Sequence, residues 1–191
     1  MQQIQQVTQY LMAYQQGDKL AINLVVDCLY DQLCKMANSQ LNRYNQNTSV
    51  GAELVHELYL KINKSENLNA HNRQHFLAIS ATAMRQIVID QIKAKNSFKR
   101  GKDMVMTTLS NQAKTWVDNQ LEILAVDEAL HKLMALEPTL ASVVECKYFA
   151  GYTETEIAEA LDISERTVRR HWQRAKKWLA LELSNELKHE K

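Results

Sequence analysis

Helix breakers are nearly missing from this chain: 191 residues include one proline and four glycines. So few turn formers exclude a strand-and-turn architecture and predict an all-helical protein with short connections. Cysteine is also scarce, at three residues, Cys28, Cys34 and Cys146. An odd count without paired spacing excludes a disulfide framework and predicts reduced, mostly buried thiols, as in a cytoplasmic protein. No apolar run approaches the ~18 residues of a membrane span. The glutamine-rich start, MQQIQQVTQYLMAYQQGD, lacks the basic and apolar blocks of a signal peptide. A glycine-rich phosphate loop and an HExxH pattern are absent, and no Ser/His/Asp set has a strand–turn context. His71 and His75 share an i, i+4 spacing but have no evident third ligand. The expectation is therefore no enzyme, no cofactor, no metal and no membrane.

Net charge, at +1, is too small to mark the whole chain as a polyanion binder. Positive charge is instead local. Lys93, Lys95, Lys99, Arg100 and Lys102 form one cluster, and residues 166–177 form another. Two separated basic patches suit a protein that touches nucleic acid in two places.

The second cluster sits in the most informative stretch, residues 153–179. Thr153 is placed to cap a helix over Glu154–Leu161, with Ile157, Ala158 and Leu161 inward. Asp162-Ile163-Ser164 breaks the run, and Ser164 is a good N-cap for a second helix. On that helix Val168, Trp172, Ala175 and Leu179 share one face. Arg166, Arg169, Arg170, Gln173, Arg174 and Lys177 share the other. Acidic residues are missing from that basic face; Glu165 lies at the helix start, where the dipole favours it. A helix-turn-helix docks its second helix in just this way, leaving the basic face for the major groove.

Periodicity divides the rest. Helices are predicted over about 3–15, 18–44, 50–63 and 72–96, then 121–135 and 138–150, with Pro138 at a first helical position. From Ser97 to Asn119 the periodicity weakens. The layout is a helical domain over 1–97, a flexible linker over 98–119 and a four-helix domain over 120–191.

With that layout, three segments resemble bacterial extracytoplasmic-function sigma factors. Leu54-Val55-His56-Glu57-Leu58-Tyr59-Leu60-Lys61-Ile62 resembles the polymerase-binding helix of the branch with an LVHEAYLRL-type motif. His75–Asp90 (HFLAISATAMRQIVID) resembles that branch's next helix. Asp127-Glu128-Ala129-Leu130 through Thr167-Val168 resembles the family's region four. Together they imply a sigma region 2 domain and a sigma region 4 helix-turn-helix domain. The implied partners are core RNA polymerase and promoter DNA.

The resemblance assigns roles to residues. Glu53, Leu54, His56, Glu57, Leu58 and Lys61 would dock on a coiled coil of the largest polymerase subunit, and region 4 on the flap of the second-largest. Glu53 and Glu57, at i and i+4, share a face that could pair with basic residues. Asn67, Asn69, Asn72, Arg73, His75 and Phe76 would read flipped bases of the minus-ten element. Phe76 also begins an apolar helical stripe, the pattern of a core residue. Arg85, Lys93, Lys95, Lys99 and Arg100 would follow the phosphates of the melted strand. Ser164, Arg166, Thr167, Arg169, Arg170, Gln173, Arg174 and Lys177 would meet the minus-thirty-five element.

One departure stands out. Many family members carry an acidic DAED-type run before the docking leucine; here Val50-Gly51-Ala52-Glu53 has one acid. Thr48 and Ser49, just upstream, are candidate phosphorylation sites, where added negative charge would suit both the helix dipole and a basic partner. An anti-sigma factor, a kinase or a recruiting partner would then set activity. The alternative is a stand-alone helix-turn-helix regulator that binds operator DNA as a dimer.

Overall fold

The computed structural model describes residues 2–44, 50–65, 68–100 and 111–189, except for the side chains of 2–4, 95–100, 111–122 and 185–189. Among these residues the regular structure is entirely helical, and no helix is long and apolar enough to cross a membrane. The all-α expectation holds. We label the helices α1 (Gln2–Gln15), α2 (Ala21–Arg43), α3 (Gly51–Lys64), α4 (Arg73–Arg100), α5 (Asn111–Leu136), α6 (Pro138–Val144), α7 (Glu154–Leu161) and α8 (Glu165–His189). A π-helical turn, Glu145–Phe149, follows α6 directly.

Helices α1 to α4 pack around an apolar set that includes Val7, Leu11, Ile22, Leu33, Leu58, Phe76, Met84 and Ile92, all fully buried. The α2 stripe at Ile22, Val25, Val26, Leu29, Leu33, Met36, Ala37, Leu41 and Tyr44 is buried along its length, as the helical spacing required. In the C-terminal group α5 and α6 pack on α8, and α7 packs on α8. Leu133, Ile157, Val168 and Ala175 form its inner face.

Two helices run into the expected linker. Helix α4 continues to Arg100 and α5 begins at Asn111. Lysine, arginine, glutamine and alanine are good helix formers, so weak apolar periodicity did not stop the backbone hydrogen bonding there. Of the thiols, Cys146 is buried but Cys28 and Cys34 are only half-buried, which corrects the expectation of mostly buried cysteines. Burial pushes the Cys146 thiol up to about 12, with a smaller push from Glu145, so it is inert as a nucleophile near neutral pH.

The N-terminal and C-terminal groups share one continuous buried core. Helix α4 is the hinge of this arrangement. It packs on α2 and α3 on one side and on α5, α7 and the π turn on the other.

Candidate nucleic-acid and partner interfaces

The helix-turn-helix is built as its capping residues dictate. The Thr153 hydroxyl accepts from the Glu156 N–H at 3.3 Å, and the Glu156 carboxylate accepts from the Thr153 N–H at 2.9 Å, a complete capping box. Helix α7 ends at Asp162, whose φ of 52° puts it in the left-handed region and turns the chain sharply. Ser164 Oγ then accepts from the Thr167 N–H at 3.2 Å and caps α8. Thr167 Oγ1 is itself 2.9 Å from Ser164 Oγ, so both hydroxyls are occupied in starting the helix.

That start fixes the rotation of α8. Val168 and Ala175 are fully buried, and Trp172 and Leu179 pack half-buried beside them. Arg166, Arg169, Arg170, Gln173, Arg174 and Lys177 are all exposed. Arg169 reaches Glu154 at 3.3 Å and Arg174 reaches Glu137 at 3.0 Å. Such exposed pairs are worth about 0–1 kcal/mol and would not hold an arginine back from a phosphate. Arg166 and Arg170 have no acidic partner among the described residues, and with Thr167 and Arg169 they line a shallow cleft.

The α3 face divides differently from expectation. Glu53, His56, Glu57 and Lys61 are exposed, but Leu54 and Leu58 are buried at 3% and 1% and pack inside their own helical group. They cannot supply apolar contacts to a partner, because on an amphipathic helix the i, i+4 leucines define the inward face. Leu60 and Val50 are the exposed apolar residues of this helix and its start. Glu57 accepts from Gln91 Nε2 at 3.0 Å, and Lys61 donates to Gln86 at 3.1 Å, so α4 steadies both side chains. Glu53 accepts weakly from the Val50 N–H at 3.4 Å at the helix start.

Gly51 gives a physical reason for part of the missing acidic run. Its N–H donates to Asn38 Oδ1 at 3.1 Å, and a Cβ there would lie 2.4 Å from the same oxygen. A side chain at this position would displace the Asn38 amide that ties α3 to α2. Thr48 and Ser49 lie outside the described residues.

The residues expected at the minus-ten element do not share one environment. Asn69 is exposed, and Asn72, Arg73 and His75 are half-buried around the start of α4. Asn72 Oδ1 accepts from the His75 N–H at 2.8 Å, which caps the helix, and Arg73 donates to Gln32 Oε1 at 2.6 Å. Gln15 on α1 holds the preceding loop through Asn69 Oδ1 and the Ala70 carbonyl, at 3.3 and 3.0 Å. The rings of His71 and His75 lie 4.2 Å apart. Phe76, at 0% exposure, is core and has no surface to offer a base. Asn67 lies outside the described residues, and Lys95, Lys99 and Arg100 belong to α4 with side chains outside that set.

Arg85 departs most from its expected role. It is 4% exposed and buried in an ion cluster. Its guanidinium meets Asp127 of α5 and lies 2.7 Å from Glu145 of the π turn, and Lys93 reaches the second Asp127 oxygen at 3.1 Å. Burial alone would lower Arg85, but Glu145 and Asp127 outweigh it and raise it above its ordinary value. Burial raises the Glu145 carboxyl, and Arg85 offsets that only in part. The cation has two carboxylates, whereas Glu145 has only a share of one guanidinium; Asp127 has Lys93 besides. In this arrangement Arg85 cannot lie on a phosphate.

Comparison with curated proteins finds no match. The sequence does match the model of the ECF sigma factor family over residues 4–185, nearly its whole length. The match spans both helical groups and the cation-bearing helix-turn-helix, so the chain belongs to the extracytoplasmic-function sigma factor family.

Proposed function

We propose that this chain binds core RNA polymerase, directs it to specific promoters and helps melt the minus-ten region. Family membership already makes it a DNA-binding sigma factor of transcription initiation, with core polymerase and promoter DNA as partners. The catalysis of RNA synthesis belongs to the polymerase; this chain supplies position. The observation that carries the finer reading is the capped helix α8, whose apolar face is locked into α5–α7 while six polar or cationic residues face solvent. Arg166 and Arg170 are free to meet guanine edges or phosphates of a minus-thirty-five duplex. The exposed acids Glu53 and Glu57, with His56 and Leu60, form the face of α3 that would meet a basic coiled coil of the largest subunit. The loop before α4, with Asn69, Asn72 and Arg73, would take bases of the minus-ten strand. The place of action is the cytoplasm.

Run-off transcription tests this. Purified chain added to sigma-free core polymerase, on promoter fragments from its host, should give specific start sites. Arg170→Ala, and separately Glu57→Lys, should abolish most of them. Specific operator binding by a dimer, with no association with core polymerase, would overturn the proposal in favour of a stand-alone regulator.

A further inference from the structure

Besides the contacts that the start of α4 makes across the seam between the two helical groups, the loop before it has a neighbour within the N-terminal group. That neighbour is α1, the glutamine-rich helix to which neither polymerase docking nor the basic face of α8 gives a role. Helix α1 is firmly seated. Val7, Leu11 and Tyr14 fall at i, i+4 and i+7, and all three are buried, at 0%, 1% and 4% exposure. Gly17 then reverses the chain with a φ of 108°, a backbone that favours glycine. Gln15 closes α1, directly after the last of these anchors. Its side chain is exposed, yet it bonds a loop 54 and 55 residues away in sequence. Gln15 Nε2 donates to the Ala70 carbonyl at 3.0 Å and to Asn69 Oδ1 at 3.3 Å.

The loop meets Gln15 in a fixed register. Leu68 and Ala70 are buried, so Asn69 between them is turned to solvent. Asn72 Oδ1 accepts from the His75 N–H at 2.8 Å and ties the far end of the loop to α4. Asn69 therefore stands between anchored residues. With its Oδ1 engaged by Gln15, Nδ2 is the free end of its amide among the described residues.

We propose that Gln15 is a positioning residue for minus-ten readout: its amide fixes the loop at Ala70 and orients the Asn69 amide, so that Asn69 meets a flipped base as a hydrogen-bond donor.

The chemistry of the amide carries this. Asparagine has an acceptor at one end and two donors at the other. Free to rotate, it accepts from an amino group or donates to a ring nitrogen or carbonyl, and so discriminates poorly between bases. Committing the oxygen to Gln15 leaves the donors, which suit a base edge with acceptors and leave an amino group without a partner. The two hydrogens of Gln15 Nε2 match two oxygens, so this side chain spends its full donor capacity on the loop. Glutamate at this position has the same shape and no donor, and would set a carboxylate against both oxygens.

The proposal rests on the loop being the minus-ten reader, so the test separates the two. Holoenzyme formed from the full chain and core polymerase is given promoters carrying each base in turn at every minus-ten position, and run-off transcripts are measured. Gln15→Ala and Gln15→Glu should each lower the preference for the favoured base at one position by about twofold to tenfold, the worth of one hydrogen bond. Gln16→Ala, exposed and next in sequence, should change nothing. Asn69→Ala should lose the same preference, and adding Gln15→Ala to it should lose no more. Core affinity and the urea midpoint of Gln15→Ala should match those of the natural chain. An equal fall at every base and position would make Gln15 a structural prop and overturn the proposal. Unchanged preferences in the Gln15 variants, with a loss in Asn69→Ala, would overturn it and leave the loop as reader. Unchanged preferences in Asn69→Ala would overturn it as well; if Asn72→Ala and Arg73→Ala also leave them unchanged, the minus-ten reading of this loop falls too. A natural chain that gives no start sites with core polymerase would overturn the polymerase reading and this proposal with it.

Discussion

Helix α8 presents its arginines to solvent, whereas Asn72, Arg73 and His75 at the start of α4 are half-buried, and Asn72 and Gln74 there are bonded to α7 and Tyr152. Both regions are expected to meet DNA, yet one is exposed and the other half-buried. The difference has a local cause. The α8 cations follow a capped turn of their own group and project away from it. The α4 residues precede a helix that is packed on both sides, so their surroundings depend on where the C-terminal group sits. A DNA-facing surface made by one group is preset; a surface shared across a seam is conditional.

The largest effect that could break this contrast is at Phe76. The half-buried region holds its aromatic ring as core, at 0% exposure. Phe76→Ala should lower the free energy of unfolding by about 3–5 kcal/mol, read as a drop in the urea midpoint. Phe76→Leu, which keeps most of the apolar volume, should lose much less and still support promoter melting. An alanine variant as stable as the natural chain but unable to melt DNA would make the ring a base-stacking platform instead.

On the preset side, Arg170→Ala should weaken duplex binding by about 1–3 kcal/mol if the guanidinium grips a guanine edge. If it contacts a phosphate, binding should weaken evenly across sequences and the salt slope should fall by about 1. Fluorescence anisotropy against salt separates the two. Helical content should not change in either case, because Arg170 is exposed and has no acidic partner among the described residues. Loss of fold would show that the basic face is structural and dissolve the contrast with α4.

Much of the preset region was legible in the sequence, and little of the conditional one was. Thr153, Asp162 and Ser164 are local signals: each acts within a few residues, so the turn and the rotation of α8 could be read directly. Burial of the α2 stripe followed in the same way from helical spacing. Leu54 and Leu58 were misread, because a resemblance names a helix as an interface without saying which of its faces is outward. Arg85 could not be placed, since its partners lie 42 and 60 residues away and no local pattern links them. The π turn had no sequence signal either. It packs against α4, far away in sequence.

The smallest effect tests whether the two regions are electrically independent. Burial, and then His71, holds His75 below its ordinary value. His171 on α8 is also lowered, by burial and then by Arg170 and Arg174, with Glu137 acting the other way. In both, folding favours the neutral ring. Between each lowered value and the ordinary one of about 6.5, the unfolded chain therefore binds more protons than the folded chain. Stability should be full above about pH 6.5 and decline as pH falls through the window beneath it. Proton NMR titration resolves the two rings. Arg170→Ala should raise His171 and leave His75 in place, while His71→Gln should raise His75 and leave His171. Screening over a Debye length of about 8 Å at physiological salt keeps such effects local. A shift of His75 on removal of Arg170 would mean that the α8 cations act on the start of α4 across the seam, and the preset and conditional surfaces would have to be treated as one.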